Sequence, residues 1–190
     1  MCIGRNYVEH IKELSNEIPD EPVYFIKPNS AITDAIIYRE GLHYEGEITF
    51  LIEQGRIVGA GVGLDLTLRE VQARLKAKGL PWERAKAFRG SAVLSPFVPI
   101  ESWEGLAIEV YRNGALVQKG GVDLMLYKPD FLVADMERIF GLDDGDVIMS
   151  GTPKGVGSVA MGDRFTLRLM RRGRTLLEFS VCCPDSSEPR

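Results

Sequence analysis

His43-Tyr44-Glu45-Gly46-Glu47-Ile48-Thr49-Phe50 places two carboxylates two residues apart, with only glycine between them, at the head of a strand-like run from Ile48 to Ile52. Residues i and i+2 of a strand share a face, so Glu45 and Glu47 aim side by side. Parallel carboxylates repel unless a cation lies between them. A hard divalent cation with oxygen ligands answers that need; a solvated strand face is the plainer alternative. The choice between them depends on a third carboxylate and on further chemistry elsewhere in the chain.

Working outward, Gln54-Gly55 reads as a turn and Arg56 to Leu66 as the return strand. Glycine at 59, 61 and 63 marks bulges or close backbone approach. The strand ends in Leu64-Asp65-Leu66-Thr67, where Asp65 stands among apolar neighbours. A buried carboxylate needs a partner. Thr67 is expected to cap a helix from Leu68 to Lys78, with Glu70 as its capping-box partner. Arg69 and Gln72 then share one face and can reach across the strand end to a ligand.

On the N-terminal side, Met1 to Arg5 reads as the tail of a strand, and Asn6 as the cap of a short helix from Tyr7 to Leu14. His10 and Glu13 are three apart on that helix. Such a pair serves either as a surface contact or as a dyad in which the carboxylate orients the imidazole for proton transfer. Pro22 to Lys27 reads as a buried strand ending in Lys27, which could reach a site although a lysine at a strand end is usually solvated, and Ile36 to Tyr38 reads as a weak strand. Further on, Lys86 is a lone basic residue before Ala87-Phe88, and Ala92 to Ile100 a proline-bounded strand. Asn113-Gly114 predicts a hairpin between Leu106–Tyr111 and Ala115–Lys119. Pro129 opens a helix that Gly141 closes, with Leu132, Val133, Met136, Ile139 and Phe140 as its core face. Asp143-Asp144-Gly145-Asp146 lacks the spacing of a calcium loop and is read as a turn. Gly151-Thr152-Pro153-Lys154-Gly155-Val156-Gly157 is not a phosphate loop of the Walker type, but its amides and the Thr152 hydroxyl suit an anion. A last hairpin turns at Arg172-Gly173.

The 190 residues suffice for one domain, expected over 1–183, with a disordered tail over 184–190. The net charge of -4 predicts no nucleic-acid partner. No apolar run is long enough for a bilayer-spanning helix, so no membrane is expected. Three cysteines, two of them adjacent, do not form a disulfide framework, and the expected compartment is the cytoplasm.

Taken together and in order, several segments resemble the fumarylacetoacetate hydrolase family. They are Gly4-Arg5-Asn6-Tyr7 with His10 and Glu13, Phe25-Ile26-Lys27-Pro28, His43 to Glu47, Leu64 to Arg69 with Gln72, Pro81-Trp82 with Lys86 and Phe88, and Gly145-Asp146 leading to Ser150 to Gly157. Because His10 and Glu13 are present, the likeness is to the small acylpyruvate hydrolase and oxaloacetate decarboxylase or tautomerase branch. The resemblance implies an α+β, mainly β fold of rolled mixed sheets with a few short helices, and a homodimer. It implies Mg²⁺ or Mn²⁺, with Ca²⁺ as a possible substitute, held by Glu45, Glu47 and Asp65. It places Lys86 beside the metal as a catalytic residue with His10 and Glu13, and gives Arg69, Gln72 and Thr152 to a small 2-oxo acid substrate. Three departures stand out: few residues precede the Gly-Arg-Asn-Tyr motif, only a short hairpin separates Glu47 from Asp65, and Arg89 replaces an aspartate frequent in relatives.

The resulting expectation is a metal-dependent enzyme that hydrolyses acylpyruvates, decarboxylates oxaloacetate or tautomerises it. Isomerisation or hydration of 2-hydroxy-dienoates is the enzymatic alternative, and a non-catalytic metal-binding scaffold the alternative of another class.

Overall fold

The hairpin through Glu47 and Asp65 is the centre of the sheet structure. The computed structural model describes residues 1–14 and 17–184. In chain order the elements are β1 (Cys2–Gly4), α1 (Val8–Glu13), β2 (Val23–Phe25), β3 (Ile32–Thr33), β4 (Leu42–Tyr44), β5 (Gly46–Glu53), β6 (Arg56–Asp65) and β7 (Thr67–Leu68). There follow α2 (Arg69–Ala77), α3 (Glu83–Lys86), β8 (Ala92–Leu94), β9 (Val98–Pro99), β10 (Leu106–Arg112), β11 (Ala115–Gly121) and α4 (Pro129–Phe140). The chain closes with β12 (Val147–Met149), β13 (Gly157–Ser158), β14 (Arg164–Arg171) and β15 (Arg174–Cys182).

The largest sheet is mixed, in the order β2-β1-β12-β5-β6-β8-β3, with β9 also on β6. β11-β10-β14-β15 form a second sheet and β13-β4-β7 a third. Ile48, Phe50 and Ile52 of β5 alternate onto one face, opposite Ala60, Val62 and Leu64 of β6. That face meets Ile108 and Val110 of β10, Phe165, Leu167 and Leu169 of β14, and Leu132 and Met136 of α4. Fully burying one such side chain contributes about 1.5–3 kcal/mol, so this two-sheet core is the main source of stability.

The opposite face of the hairpin carries the polar residues. Gly46 pairs with Leu64 and Glu47 with Gly63. The Asp65 amide donates to the Glu45 carbonyl at 2.8 Å. The short connection therefore places Asp65 directly across from Glu45 and on the same face as Glu47. Gly61 and Gly63 keep that face open to the neighbouring backbone. A Cβ on Gly63 would lie 2.6 Å from the Val93 carbonyl, and one on Gly61 2.8 Å from Ser95 Oγ.

Several local expectations give way to tertiary bonding. Asn6 does not cap α1, whose N-cap is Tyr7. Its amide instead donates to the carbonyls of Ser150 (2.9 Å) and Tyr127 (3.0 Å) and accepts from the Tyr127 amide (2.8 Å). Thr67 likewise lies in β7, and α2 begins from Leu68 without a side-chain cap. No strand forms at Ile36–Tyr38; the strand in this region is β3, parallel to β8. The apolar run 92–100 splits into β8 and β9, because the Val62 amide bonds to Ser95 Oγ (3.0 Å) and Pro96 offers no N–H. β2 is half-buried rather than buried.

Other expectations agree. Asn113 and Gly114 take φ of 52° and 83°, as a two-residue hairpin turn requires. Pro129 opens α4, and Gly141 follows its end at φ 73°. Within α4, however, Ile139 and Phe140 are about half exposed, because the last turn runs past the core. The tail from residue 185 lies outside the described residues.

Gly46 separates the two glutamates where the sheets touch: a Cβ there would meet Val110 Cγ2 at 2.4 Å. Gly46→Ala is expected to lower stability by about 1–3 kcal/mol in urea unfolding, the usual scale of overpacking. Adding Val110→Ala should show a favourable coupling of about 0.5 kcal/mol or more; strict additivity would mean that this contact is not the cause.

Candidate active site

Glu45, Glu47 and Asp65 are all buried, and one oxygen from each lies within 4.8 Å of the others. Three carboxylates so close in a dry site demand positive charge. Lys86, the last residue of α3, supplies part of it. Its Nζ lies 2.8 Å from Glu45 Oε2, 2.6 Å from Asp65 Oδ2 and 2.7 Å from Thr67 Oγ1. These three contacts use all three protons of the ammonium. Arg69 adds a guanidinium–carboxylate pair to Glu45 and donates to Gln72 Oε1 at 3.0 Å. Burial disfavours the charged form of Glu45, yet Lys86 and Arg69 hold it well below the usual carboxylate range. Glu47 goes the other way: burial first, then Asp65 and Glu45, push it well up, against one amide bond from Gly151 at 2.8 Å. Burial also works against the Lys86 charge, but Asp65 and Glu45 outweigh it and raise its pKa.

These carboxylates open on a small cleft of about 40 Å³. Lys86, Arg69, Gln72, Thr152 and His10 share its lining with Glu45 and Glu47. Of the sequence-predicted site residues, only Asp65 and Glu13 stand behind the wall. His10 is buried, with Nδ1 3.1 Å from Glu13 Oε2, and the other Glu13 oxygen accepts from the Gly155 amide at 2.9 Å. The dyad is thus tied to the glycine-rich turn. Within that turn the Thr152 hydroxyl donates to the Gly46 carbonyl at 2.9 Å, so its proton is committed to the scaffold. Arg89, the departure from the family pattern, is exposed and outside the cleft lining.

Two residues with structural weight escaped the sequence reading. Lys27 is not solvated but buried. Its ammonium lies 2.8 Å from Asp65 Oδ1. Its protons are taken by the carbonyls of Lys86, Ser91 (3.0 Å) and Leu66 (3.5 Å). That oxygen of Asp65 therefore has a nearby charge but no aligned donor. Gln118 accepts from the Gly46 amide (2.9 Å) and donates to Thr152 Oγ1 (2.8 Å) and the Pro153 carbonyl (2.7 Å). The apolar Phe25-Ile26 before Lys27 was a usable signal; Gln118 in a hairpin strand had none.

A divalent metal fits this set. The donors are three hard oxygen groups, Asp65 Oδ1 is a buried acceptor without an aligned donor, and burial with the neighbouring Asp65 and Glu45 raises Glu47. The fold and site thus bring together three carboxylates that could hold a cation and, beside them, the His10–Glu13 pair. The chain belongs to the Fumarylacetoacetate (FAA) hydrolase C-terminal family, which matches residues 1–181. It is 42% identical to oxaloacetate tautomerase YcgM of Escherichia coli (strain K12), over 88% of this chain and 86% of that protein. Fumarylpyruvate hydrolase from Pseudomonas aeruginosa, solved with Mn²⁺ and pyruvate, superposes with a TM-score of 0.86 at 31% identity, covering 97% of this chain and 88% of that one. A structure from Oleispira antarctica superposes with a TM-score of 0.91 at 39% identity, covering 96% and 91%.

Lys27 ties the ends of β6 and α3 to the start of β8. Lys27→Met should cost about 3–5 kcal/mol in denaturant unfolding, the scale for breaking a buried pair. Lys27→Arg should not restore it, since a planar fork does not reproduce three radial donors. A Met variant as stable as the parent would show the clamp to be dispensable.

Proposed function

We propose that this protein is a divalent-metal-dependent enzyme of small 2-oxo acids whose first reaction is keto–enol tautomerisation of oxaloacetate. The observation that carries the reading is the convergence of Glu45, Glu47 and Asp65 with Lys86 on the floor of a cleft that also holds the His10–Glu13 pair. Kinship with oxaloacetate tautomerase YcgM supports the substrate. When bound at the three carboxylates, Mg²⁺ or Mn²⁺ supplies Lewis-acid polarisation of the 2-oxo group.

The protein's own groups do the rest. Lys86 and Arg69 offset the carboxylate charge that would repel an anionic substrate, and Lys86 places positive charge near the oxygen on which charge develops. Gln72, in the cleft lining, accepts from Arg69 through Oε1, which leaves its amide nitrogen as a donor for the substrate carboxylate. Glu13 engages Nδ1 of His10, so Nε2 is the nitrogen that takes a proton from C3 and returns it. Ile11 of α1 and Leu14 just past its end add apolar side chains to the cleft wall. Acylpyruvate hydrolysis is the second reading. It is favoured by likeness to a fumarylpyruvate hydrolase and by a dyad that suits activation of water.

The test is a substrate panel of oxaloacetate and acetylpyruvate with Mg²⁺ and Mn²⁺, and with chelator. Turnover that vanishes on metal removal is the expected result; no turnover of any 2-oxo acid by metal-loaded protein would refute the reading. Asp65→Asn should weaken Mn²⁺ binding in calorimetry by about tenfold or more, the lower end of the loss seen even for outer partners of a ligand. His10→Ala should lower turnover by about 10²–10⁴-fold with metal affinity kept. Lys86→Met should lose about 10²-fold or more without rescue by excess metal. Full rescue would reduce lysine to a metal-loading role.

A further inference from the structure

The cleft has a charged floor and an aromatic end. Glu45, Glu47 and Lys86 line the one, Phe25 and Trp82 the other. Two helices set the direction between them. Lys86, the last residue of α3, reaches Glu45 and Asp65. Trp82 is the N-cap of the same helix, and its carbonyl accepts from the Lys86 amide at 3.0 Å. One turn separates the two residues, about 6 Å along the axis. In α2, Arg69 at the first position pairs with Glu45, and Lys76 lies two turns further on, about 10 Å along the axis. The Lys76 ammonium stands 5.3 Å from the centroid of the Trp82 ring. The ring therefore sits where both helices have left the carboxylates.

Three elements hold the ring there. Phe25 of β2 packs against it with centroids 6.2 Å apart, and Lys76 approaches it from α2. The end of β1 abuts it, since a Cβ on Gly4 would lie 3.8 Å away. Phe25 also faces the floor, with the Lys86 ammonium 5.0 Å from its centroid. An indole held by separate elements does not swing aside without giving up those contacts. The cleft of about 40 Å³ has room for about three water-sized groups, so little space remains once a short acid is seated.

We propose that Trp82 is a specificity-determining residue, an end stop that admits short 2-oxo acids and rejects acylpyruvates with long acyl chains. The inference rests on the 2-oxo-acid reading above, which seats the carboxylate and the oxo group at the floor. With those atoms fixed, each added methylene extends the chain toward the ring. Extra methylenes forced into a filled site are unfavourable.

The experiment is calorimetry in excess Mg²⁺ with 2-oxobutanoate, 2-oxohexanoate and 2-oxooctanoate, which lack a second carbonyl and so are not cleaved. The parent should bind 2-oxohexanoate about tenfold or more weakly than 2-oxobutanoate, the scale of overpacking. Trp82→Ala should remove that drop and bind 2-oxohexanoate at least as tightly as 2-oxobutanoate, because each methylene taken from water favours binding about fourfold. Its affinity for 2-oxobutanoate should stay within about threefold of the parent's, which separates an end stop from a general loosening of the site. Trp82→Phe keeps an aromatic contact with Phe25 and should give an intermediate cut-off. A thermal melt checks folding, and if Trp82→Ala unfolds, Trp82→Phe decides. Affinity of the parent that rises with chain length overturns the proposal, and so does a cut-off that neither variant moves. Equal weakening of all three acids in the variants, or no binding of any acid by the parent, overturns it as well. Oxaloacetate turnover is measured on the same protein. A cut-off that moves with Trp82 in a protein that turns over no 2-oxo acid keeps the end stop and removes the catalytic reading. Turnover without a cut-off removes the end stop alone.

Discussion

Three carboxylates share one buried site, and most of what is distinctive in this structure answers that constraint. Placing Glu45, Glu47 and Asp65 together without water is costly unless each negative charge is met. Lys86 bridges Glu45 and Asp65, Arg69 takes the other side of Glu45, and Lys27 stands against Asp65. Glu47 alone receives no side-chain cation among its described contacts, only the Gly151 amide. The imbalance leaves the centre able to take one more positive charge, and the three carboxylates could hold a metal ion.

The cations are themselves placed by the fold. Lys27 and Lys86 come from segments 59 residues apart, and the ammonium of one bonds the carbonyl of the other. Lys27 thus orders the backbone of Lys86 while both lysines meet the same aspartate. Charge neutralisation and cross-linking of β6, α3 and β8 are one interaction. A lysine serves this better than arginine, because its three donors radiate and can reach three separate segments.

A second set of bonds joins this floor to the His10–Glu13 pair. Gln118 links the Gly46 amide to Thr152, Thr152 returns a bond to the Gly46 carbonyl, and the same turn holds Glu13 through the Gly155 amide. The strand carrying the carboxylates and the helix carrying His10 are therefore registered through one glycine-rich turn. Gly155 itself permits this. A Cβ there would lie 2.0 Å from the Val117 carbonyl, and its φ is 102°.

What the sequence determined by itself is what local pattern and spacing can carry. Two-residue alternation put Glu45 and Glu47 on one face and three-residue spacing paired His10 with Glu13, while Asp65 joined the glutamates only through the family resemblance. Turn residues fixed the Asn113-Gly114 hairpin and the ends of α4. Tertiary structure decided the rest, because a polar side chain takes the partner that burial offers rather than the one beside it in the chain. Asn6 and Thr67 had the look of helix caps, yet they bond Tyr127 and Ser150 in one case and Lys86 in the other. Lys27 had the look of a solvated strand end, yet it lies under the carboxylates. Its partners Leu66, Lys86 and Ser91 lie 39, 59 and 64 residues away, a distance no local pattern spans.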